Sequence, residues 1–97
     1  MRLDVWLWRA RFFKTRTSAS EEIETHGARI ERDGQVRRID KPSTTVASGD
    51  LVSFTNAGGP HLLRVLDLPA RRGPAPEAAL CYERVTASPA TDDRPGR

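Results

Sequence analysis

The spacing of the apolar residues changes at Gly27, and this change limits the folds open to the chain. Before Gly27, apolar residues recur every three or four positions, which is the spacing of one face of an α-helix. After it, they alternate with polar residues, as they do along a half-buried β-strand. Because 97 residues suffice for one domain, this order of helices followed by strands predicts a single small domain of the α+β class.

Residues 3–13 are predicted to form the first helix. Its apolar side chains fall on two faces, which is more than a helix on the surface of a domain needs. One face carries Leu3, Trp6, Leu7, Ala10 and Phe13, and the other carries Val5, Trp8 and Phe12. Trp6 and Trp8 therefore cannot both face one core. Asp4, in the first turn, is expected to orient an arginine or to cap the helix.

A second helix is predicted over residues 16–26. Thr15 is a suitable N-cap, although Ser18 with Glu21 also fits a capping box, and Gly27 follows the last turn. The apolar content of this helix is small, because only Ala19 and Ile23 are apolar within it. We therefore expect it to depend on packing against the first helix.

The strands begin with a hairpin. Asp33 and Gly34 predict a tight turn between residues 30–32 and 35–39, because the pair supplies the positive φ angles that a two-residue turn needs. Further strands are predicted over residues 51–55 and 61–68, with residues 56–60 as the loop between them.

The C-terminal third is predicted to be less regular. Proline-rich residues 69–76 read as a connector, residues 77–83 as a short helix begun by Pro76, and residues 86–97 as a disordered tail. The organisation expected is a domain over residues 1–68, with residues 69–85 packing on it.

Positive charge is concentrated near the N-terminus. Residues 1–16 carry five basic side chains against Asp4 alone, and residues 27–41 are basic again. Such a basic region on a nearly neutral body is typical of proteins that bind a polyanion. The same Arg-rich start also resembles a mitochondrial transit peptide, and the two interpretations differ in whether residues 1–20 belong to the core.

Several function classes are excluded by the sequence. No stretch of 18 apolar residues is present, so we expect no membrane partner. Cys81 is the only cysteine and is expected to be a buried small side chain, so a zinc site with His26 and His61 is improbable. No nucleophile–base pair or glycine-rich phosphate loop is visible, and we therefore expect neither a cofactor nor an enzymatic activity.

An ordered set of short motifs gives a more specific indication. The set runs through Arg2-Leu3-Asp4, Leu7, Thr15-Arg16, Ala19, Ile23, Gly27, Asp33-Gly34, Lys41-Pro42-Ser43, Val46 and Gly49-Asp50. It resembles the RNA-binding domain family of small-subunit ribosomal protein S-four, known as the alpha-L motif. Trp6-Leu7-Trp8, residues 10–16 and the late Tyr82-Glu83 are most similar to the ribosome-associated heat-shock proteins of fifteen kilodaltons.

The resemblance implies both a fold and a partner. In this family two helices pack on a small, mostly antiparallel sheet, and the region of the second helix faces structured RNA. It implies a bacterial cytoplasmic protein that binds ribosomal RNA and the large ribosomal subunit, with a role in ribosome recycling or the stress response. We further expect a monomer, and possible non-specific binding to other nucleic acids, DNA included.

The resemblance also implies an RNA-binding surface. Carried onto this sequence, its residues are Arg2, Arg11, Lys14, Thr15, Arg16, Lys41 and Ser43. We add Arg9, Arg37 and Arg38 as further candidates, since arginine suits bidentate phosphate recognition. Two departures from the family pattern are visible: Glu22 stands at a position usually held by Leu or Met, and Arg37 and Arg38 lie in a longer hairpin.

Two other functions remain compatible with the sequence. The same module is appended to RNA-modifying enzymes, so the chain could be a stand-alone targeting subunit for a pseudouridine synthase or a methyltransferase. Alternatively, the two-faced first helix could serve a protein partner without any RNA. Reversing the charges of Arg11 and Arg16 would distinguish RNA binding from the latter.

Overall fold

The structure is a computed structural model that describes residues 1–85. The predicted tail, residues 86–97, lies outside them. The helices are α1 (Leu3–Arg9), α2 (Arg16–His26) and the short α3 (Ala75–Ala78), which continues into a 3₁₀ turn (Ala79–Cys81). The strands are β1 (Ala28–Arg32), β2 (Gln35–Ile39), β3 (Leu51–Asn56), β4 (Gly59–Val65) and β5 (Tyr82–Arg84). The α+β class is confirmed.

All five strands form one antiparallel sheet in the order β2-β1-β3-β4-β5. On one side of the sheet, the side chains of alternate residues face α1 and α2. These strand side chains form the core together with Leu3, Trp6 and Leu7 of α1. We call the opposite side of the sheet the open face; it carries the residues between the buried ones, among them Arg29, Ser53 and Arg64.

The N-terminal segment belongs to the fold. Leu3, Trp6 and Leu7 are fully buried, and Ala10 and Ala19 are nearly or fully so. Residues 1–20 therefore supply the centre of the core. Within residues 1–85, none of the helices is long and apolar enough to cross a membrane.

Helix α1 is shorter than predicted, and the predicted end at residue 13 is wrong. The chain leaves the helix at Arg11, whose φ of 69° is left-handed. The backbone N–H of Phe12 donates to Leu7 O (2.9 Å) and that of Arg11 to Trp8 O (3.1 Å), which is a Schellman termination. Phe12 is thereby turned onto the sheet, where its ring centroid lies 5.3 Å from that of Phe54 and 4.7 Å from that of Tyr82.

The predicted second helix is confirmed at both ends. Thr15 Oγ1 accepts the backbone N–H of Ser18 at 2.9 Å, so Thr15 is the N-cap, and Gly27 follows the last turn with a φ of 79°. Ala19 and Ile23 are its buried residues. Glu22 does not disturb this stripe, because it lies beside it and pairs with His26 at 2.8 Å.

The hairpin is also confirmed. Asp33 and Gly34 have φ angles of 54° and 78°, and Arg32 pairs directly with Gln35. The register continues without interruption to the pair Ala28 and Ile39. The extra residues of this hairpin therefore lengthen the two strands and form no bulge.

The later elements differ from prediction. Strand β4 begins at Gly59, because Ala57 and Gly58 suffice for the turn after β3, and it ends at Val65. The helix predicted over residues 77–83 is wrong in its last two residues, which belong to β5 and pair with β4. Cys81, just before β5, is buried as expected, and burial raises the pKa of its thiol.

Candidate nucleic-acid interface

A buried carboxylate organises the start of α1. Asp4 is only 1% exposed, and it accepts two hydrogen bonds from Arg2, from Nε at 3.0 Å and from Nη2 at 2.9 Å. It also accepts the Val5 backbone N–H and the Ser20 hydroxyl, each at 2.8 Å. Burial raises the pKa of Asp4, but these hydrogen bonds outweigh it and leave the pKa lowered. Asp4 thus orients an arginine, as predicted, and ties α1 to α2.

The loop after β2 joins the same corner. The backbone N–H groups of Leu3 and Asp4 donate to Thr44 O (2.8 Å) and Pro42 O (3.3 Å), and Val46 N–H donates to Met1 O (2.9 Å). The first two bonds satisfy N–H groups at the start of α1 that would otherwise lack partners. They also bring two predicted site residues, Lys41 and Ser43, beside a third, Arg2, and all three are exposed.

A second group of predicted residues lies at the turn between α1 and α2. Lys14, Thr15 and Arg16 are exposed. Neither Lys14 nor Arg16 forms an ion pair with any acid of residues 1–85. An ordinary solvated surface would pair these side chains with Glu21 or Glu24, and those pairs are not formed. We call Lys14, Thr15 and Arg16 the corner surface. It stands at the N-terminus of α2, where backbone N–H groups and the helix dipole favour an anion.

Arg9 and Arg11, two of the predicted site residues, also form hydrogen bonds within the fold. Arg9 Nη1 donates to Pro69 O at 2.8 Å, and Arg11 Nε donates to Gly73 O at 2.6 Å. In return, Arg72 Nε donates to Trp8 O at 3.0 Å, with its guanidinium 5.8 Å from the Trp8 ring centroid. These bonds hold the connector against α1. Sequence reasoning missed them, since they join residues about 60 positions apart and leave no local pattern.

The structure separates the two hairpin arginines. Neighbouring residues of a strand point to opposite sides of the sheet. Arg37 lies in register with the buried Ile30, on the side of the core, whereas Arg38 lies on the open face opposite Arg29. Arg37 and Arg38 therefore lie on opposite sides of the sheet, and their contact with RNA stays a prediction.

A second buried carboxylate joins the end of β1 to the start of β3. Asp50 is 2% exposed and accepts Arg32 Nε at 2.8 Å and Nη2 at 2.7 Å, together with the Ala47 backbone N–H at 2.9 Å. The bonds from Arg32 lower the pKa of Asp50. This pair connects the β1–β2 hairpin to the start of β3, and its role is structural.

Comparison with known proteins gives the relationship of the chain. No family model matches it. It is 40% identical over 88 residues to the heat shock protein 15 homolog of Aeromonas salmonicida, an alignment that covers 91% of this chain and 63% of the relative. It is 39% identical to heat shock protein 15 of Escherichia coli K12, of which it covers 62%. The chain thus spans slightly less than two thirds of the length of these curated relatives.

A solved structure agrees with these alignments. Vibrio cholerae heat shock protein 15, described as trimeric, superposes with a TM-score of 0.72 at 32% sequence identity. The match covers 88% of this chain and 81% of the Vibrio chain. Identity and coverage at this level show common ancestry as well as a common fold, and the chain belongs to the heat shock protein 15 family.

Proposed function

We propose that the protein is a non-catalytic RNA-binding protein of the alpha-L type. It recognises structured ribosomal RNA and associates with the large ribosomal subunit in the cytoplasm. The observation that carries this proposal is the corner surface, where exposed Lys14 and Arg16 have no acidic partner among residues 1–85 and flank the N-terminus of α2. Membership of the heat shock protein 15 family supports the proposal, because the motifs that resemble the alpha-L domain and those that resemble this family lie along the same part of the chain.

The chemistry of the surface suits the backbone of an RNA helix. Lysine and arginine bind phosphate oxygens, and the free N–H groups at the start of α2 can bind one more phosphate. A-form RNA hides the base edges of its major groove, so a surface of this kind recognises the shape and the backbone of RNA. Arg2, Lys41 and Ser43 add a second group of donors at the start of α1.

The test is a salt titration of binding to large ribosomal subunits and to a structured ribosomal RNA fragment. The variant Lys14→Gln/Arg16→Gln is preferable to a change at Arg11, because the Arg11 side chain also holds the connector. The control, Arg64→Gln/Arg71→Gln, removes two positive charges elsewhere on the domain. Each phosphate contact that is lost should reduce the slope of log affinity against log salt by about 1.

We expect the corner variant to lose about 2 from that slope and the control to change little. Equal slopes for the two variants would reject the corner surface as the RNA contact. Copurification of a modifying enzyme at fixed stoichiometry would instead favour a targeting subunit. The proposal takes the protein to be a monomer, and sedimentation at the binding concentration tests this against the trimer described for the Vibrio relative.

A further inference from the structure

Two arginines face each other on the open face of the sheet. The antiparallel register of β1 and β2 sets Arg29 directly opposite Arg38, and both side chains are exposed. Residues paired in this way have Cβ atoms about 4.5–5.5 Å apart, and like charges so placed destabilise a sheet. Within residues 1–85 neither side chain forms a hydrogen bond or an ion pair, so both guanidinium groups keep all their donors.

The surroundings of the pair are polar and concave. Arg29 and Arg38 line a shallow depression of about 290 Å³ together with Ser53 and Thr55. Ser53 is the partner of Arg29 on β3, so Arg38, Arg29 and Ser53 form one row across three strands. Glu31 lies two residues further along the open face and makes no ion pair with either arginine.

The end of α2 leaves room for one of the two guanidinium groups. Gly27 has a φ of 79°, and a Cβ placed there would lie 3.2 Å from Ile39 O and 3.6 Å from Arg38 Nε. The absence of a side chain at Gly27 lets the Arg38 guanidinium lie against the backbone at the helix end. Arg38 therefore borders the same depression as Arg29.

We propose that Arg29 and Arg38 bind a phosphate group on the open face, at a site separate from the corner surface. Two guanidinium groups offer paired N–H donors that match phosphate oxygens, and the bound anion removes the repulsion between them. The phosphate belongs either to the backbone of an RNA strand or to a small phosphate ion. The first source rests on the function proposed above, and the second does not.

The first arm of the test uses inorganic phosphate and the native protein. Its readout is the NMR signal of each arginine Nε–H group during a phosphate titration. We expect the signals of Arg29 and Arg38 to shift together and to saturate, while the signal of Arg64, on the same face, follows only the ionic strength. The variant Arg29→Gln/Arg38→Gln should keep its fold, with a Tm at or slightly above that of the native protein, because a repulsion has been removed.

The second arm repeats the RNA salt titration with Arg29→Gln/Arg38→Gln, with Arg64→Gln as the control. A slope reduced by about 2 identifies an RNA phosphodiester as the ligand. A saturable phosphate response with an unchanged slope identifies a small phosphate, and it supports the site even if the native protein binds no RNA. If neither response occurs, the inference is overturned, whether or not the corner variant shows that RNA binds at Lys14 and Arg16.

Discussion

Arg11 is the residue whose backbone differs most from its sequence expectation. It occupies a left-handed conformation that usually selects glycine, and it donates through Nε to Gly73 O. The conformational strain and the hydrogen bond oppose each other, and each amounts to about 1 kcal/mol. The side chain is thus retained where a glycine would end the helix more easily.

Replacing Arg11 separates these two effects. Arg11→Ala keeps the strain and loses the hydrogen bond, whereas Arg11→Gly loses both. We expect the glycine variant to have a free energy of unfolding about 1 kcal/mol above that of the alanine variant, measured by urea denaturation. An alanine variant as stable as the glycine variant, or more so, would show that residue 11 does not adopt the left-handed conformation in solution.

We expect His61 to make folding stability depend on pH. Its Nε2 lies 2.8 Å from Asn56 Oδ1 and its Nδ1 lies 3.1 Å from Arg84 Nη1, so the ring is suited to the neutral form with the proton on Nε2. Burial and the charge of Arg84 lower the pKa of His61 from 6.5. Below pH 6.5 the unfolded chain binds a proton that the folded chain resists, so stability falls as the pH drops from 6.5 towards the folded pKa.

The variant His61→Gln should lack this dependence. We expect urea midpoints between pH 8 and pH 5 to fall for the native protein and to stay nearly constant for the variant. Asp4 and Asp50 act in a different range, because their pKa values are lowered from 3.8 and their contribution is lost only as the pH falls below that value. A native protein with flat midpoints above pH 5 would contradict the neutral assignment of His61.

At the scale of elements, Thr15 is both the N-cap of α2 and a member of the corner surface. Thr15 Oγ1 accepts the Ser18 N–H, and few apolar contacts compensate for its loss, because α2 buries only Ala19 and Ile23. Thr15→Ala should therefore cost about 1 kcal/mol of unfolding free energy, while Thr15→Ser, which keeps the hydroxyl, should cost much less. Thermal or urea unfolding of both variants checks this, and equal losses would mean that the methyl group matters rather than the cap.

Elements whose ends are marked by capping or turn residues were predictable from the sequence, and elements that depend on distant partners were not. Thr15 and Gly27 mark the ends of α2, so that helix was found with its bounds. Asp33 with Gly34 marks the turn of the hairpin, which was found with its turn, although β1 begins at Ala28 and so two residues earlier than predicted. The apolar pattern continues past the end of α1 because Phe12 and Phe13 pack on the sheet. Strand β5 has three residues and exists only through its pairing with β4, which no local pattern reveals.

The residues of the candidate site also divide into those that a local pattern reveals and those that depend on distant contacts. The charges of Lys14 and Arg16 could be assigned to a surface because they flank a helix start that is visible in the sequence. The opposed arginines on β1 and β2 required the strand register, which the turn at Asp33 and Gly34 fixes. The contacts of Arg9 and Arg11 required the path of the connector, which is set only in the folded protein.

At the scale of the whole molecule, positive charge lies on two separate sides of the domain. If both sites hold phosphates of one RNA, Lys14→Gln/Arg16→Gln and Arg29→Gln/Arg38→Gln act on distant contacts, and their effects should add. The combined variant should then lose about 4 from the salt slope, the sum of about 2 for each pair. A combined loss no larger than that of one pair would show that the two sides do not engage the same RNA.

The long-range bonds of α1 bear on the order in which the protein can fold during synthesis. Trp6 Nε1, Arg9 and Arg11 donate to carbonyls 61, 60 and 62 residues further along the chain. Helix α1 thus has to wait for residues 67–73 before its contacts are complete. Closing so long a loop is slow relative to local structure formation. The nascent chain therefore leaves Trp6 and the two arginines without these carbonyl partners until residues 67–73 have been synthesised.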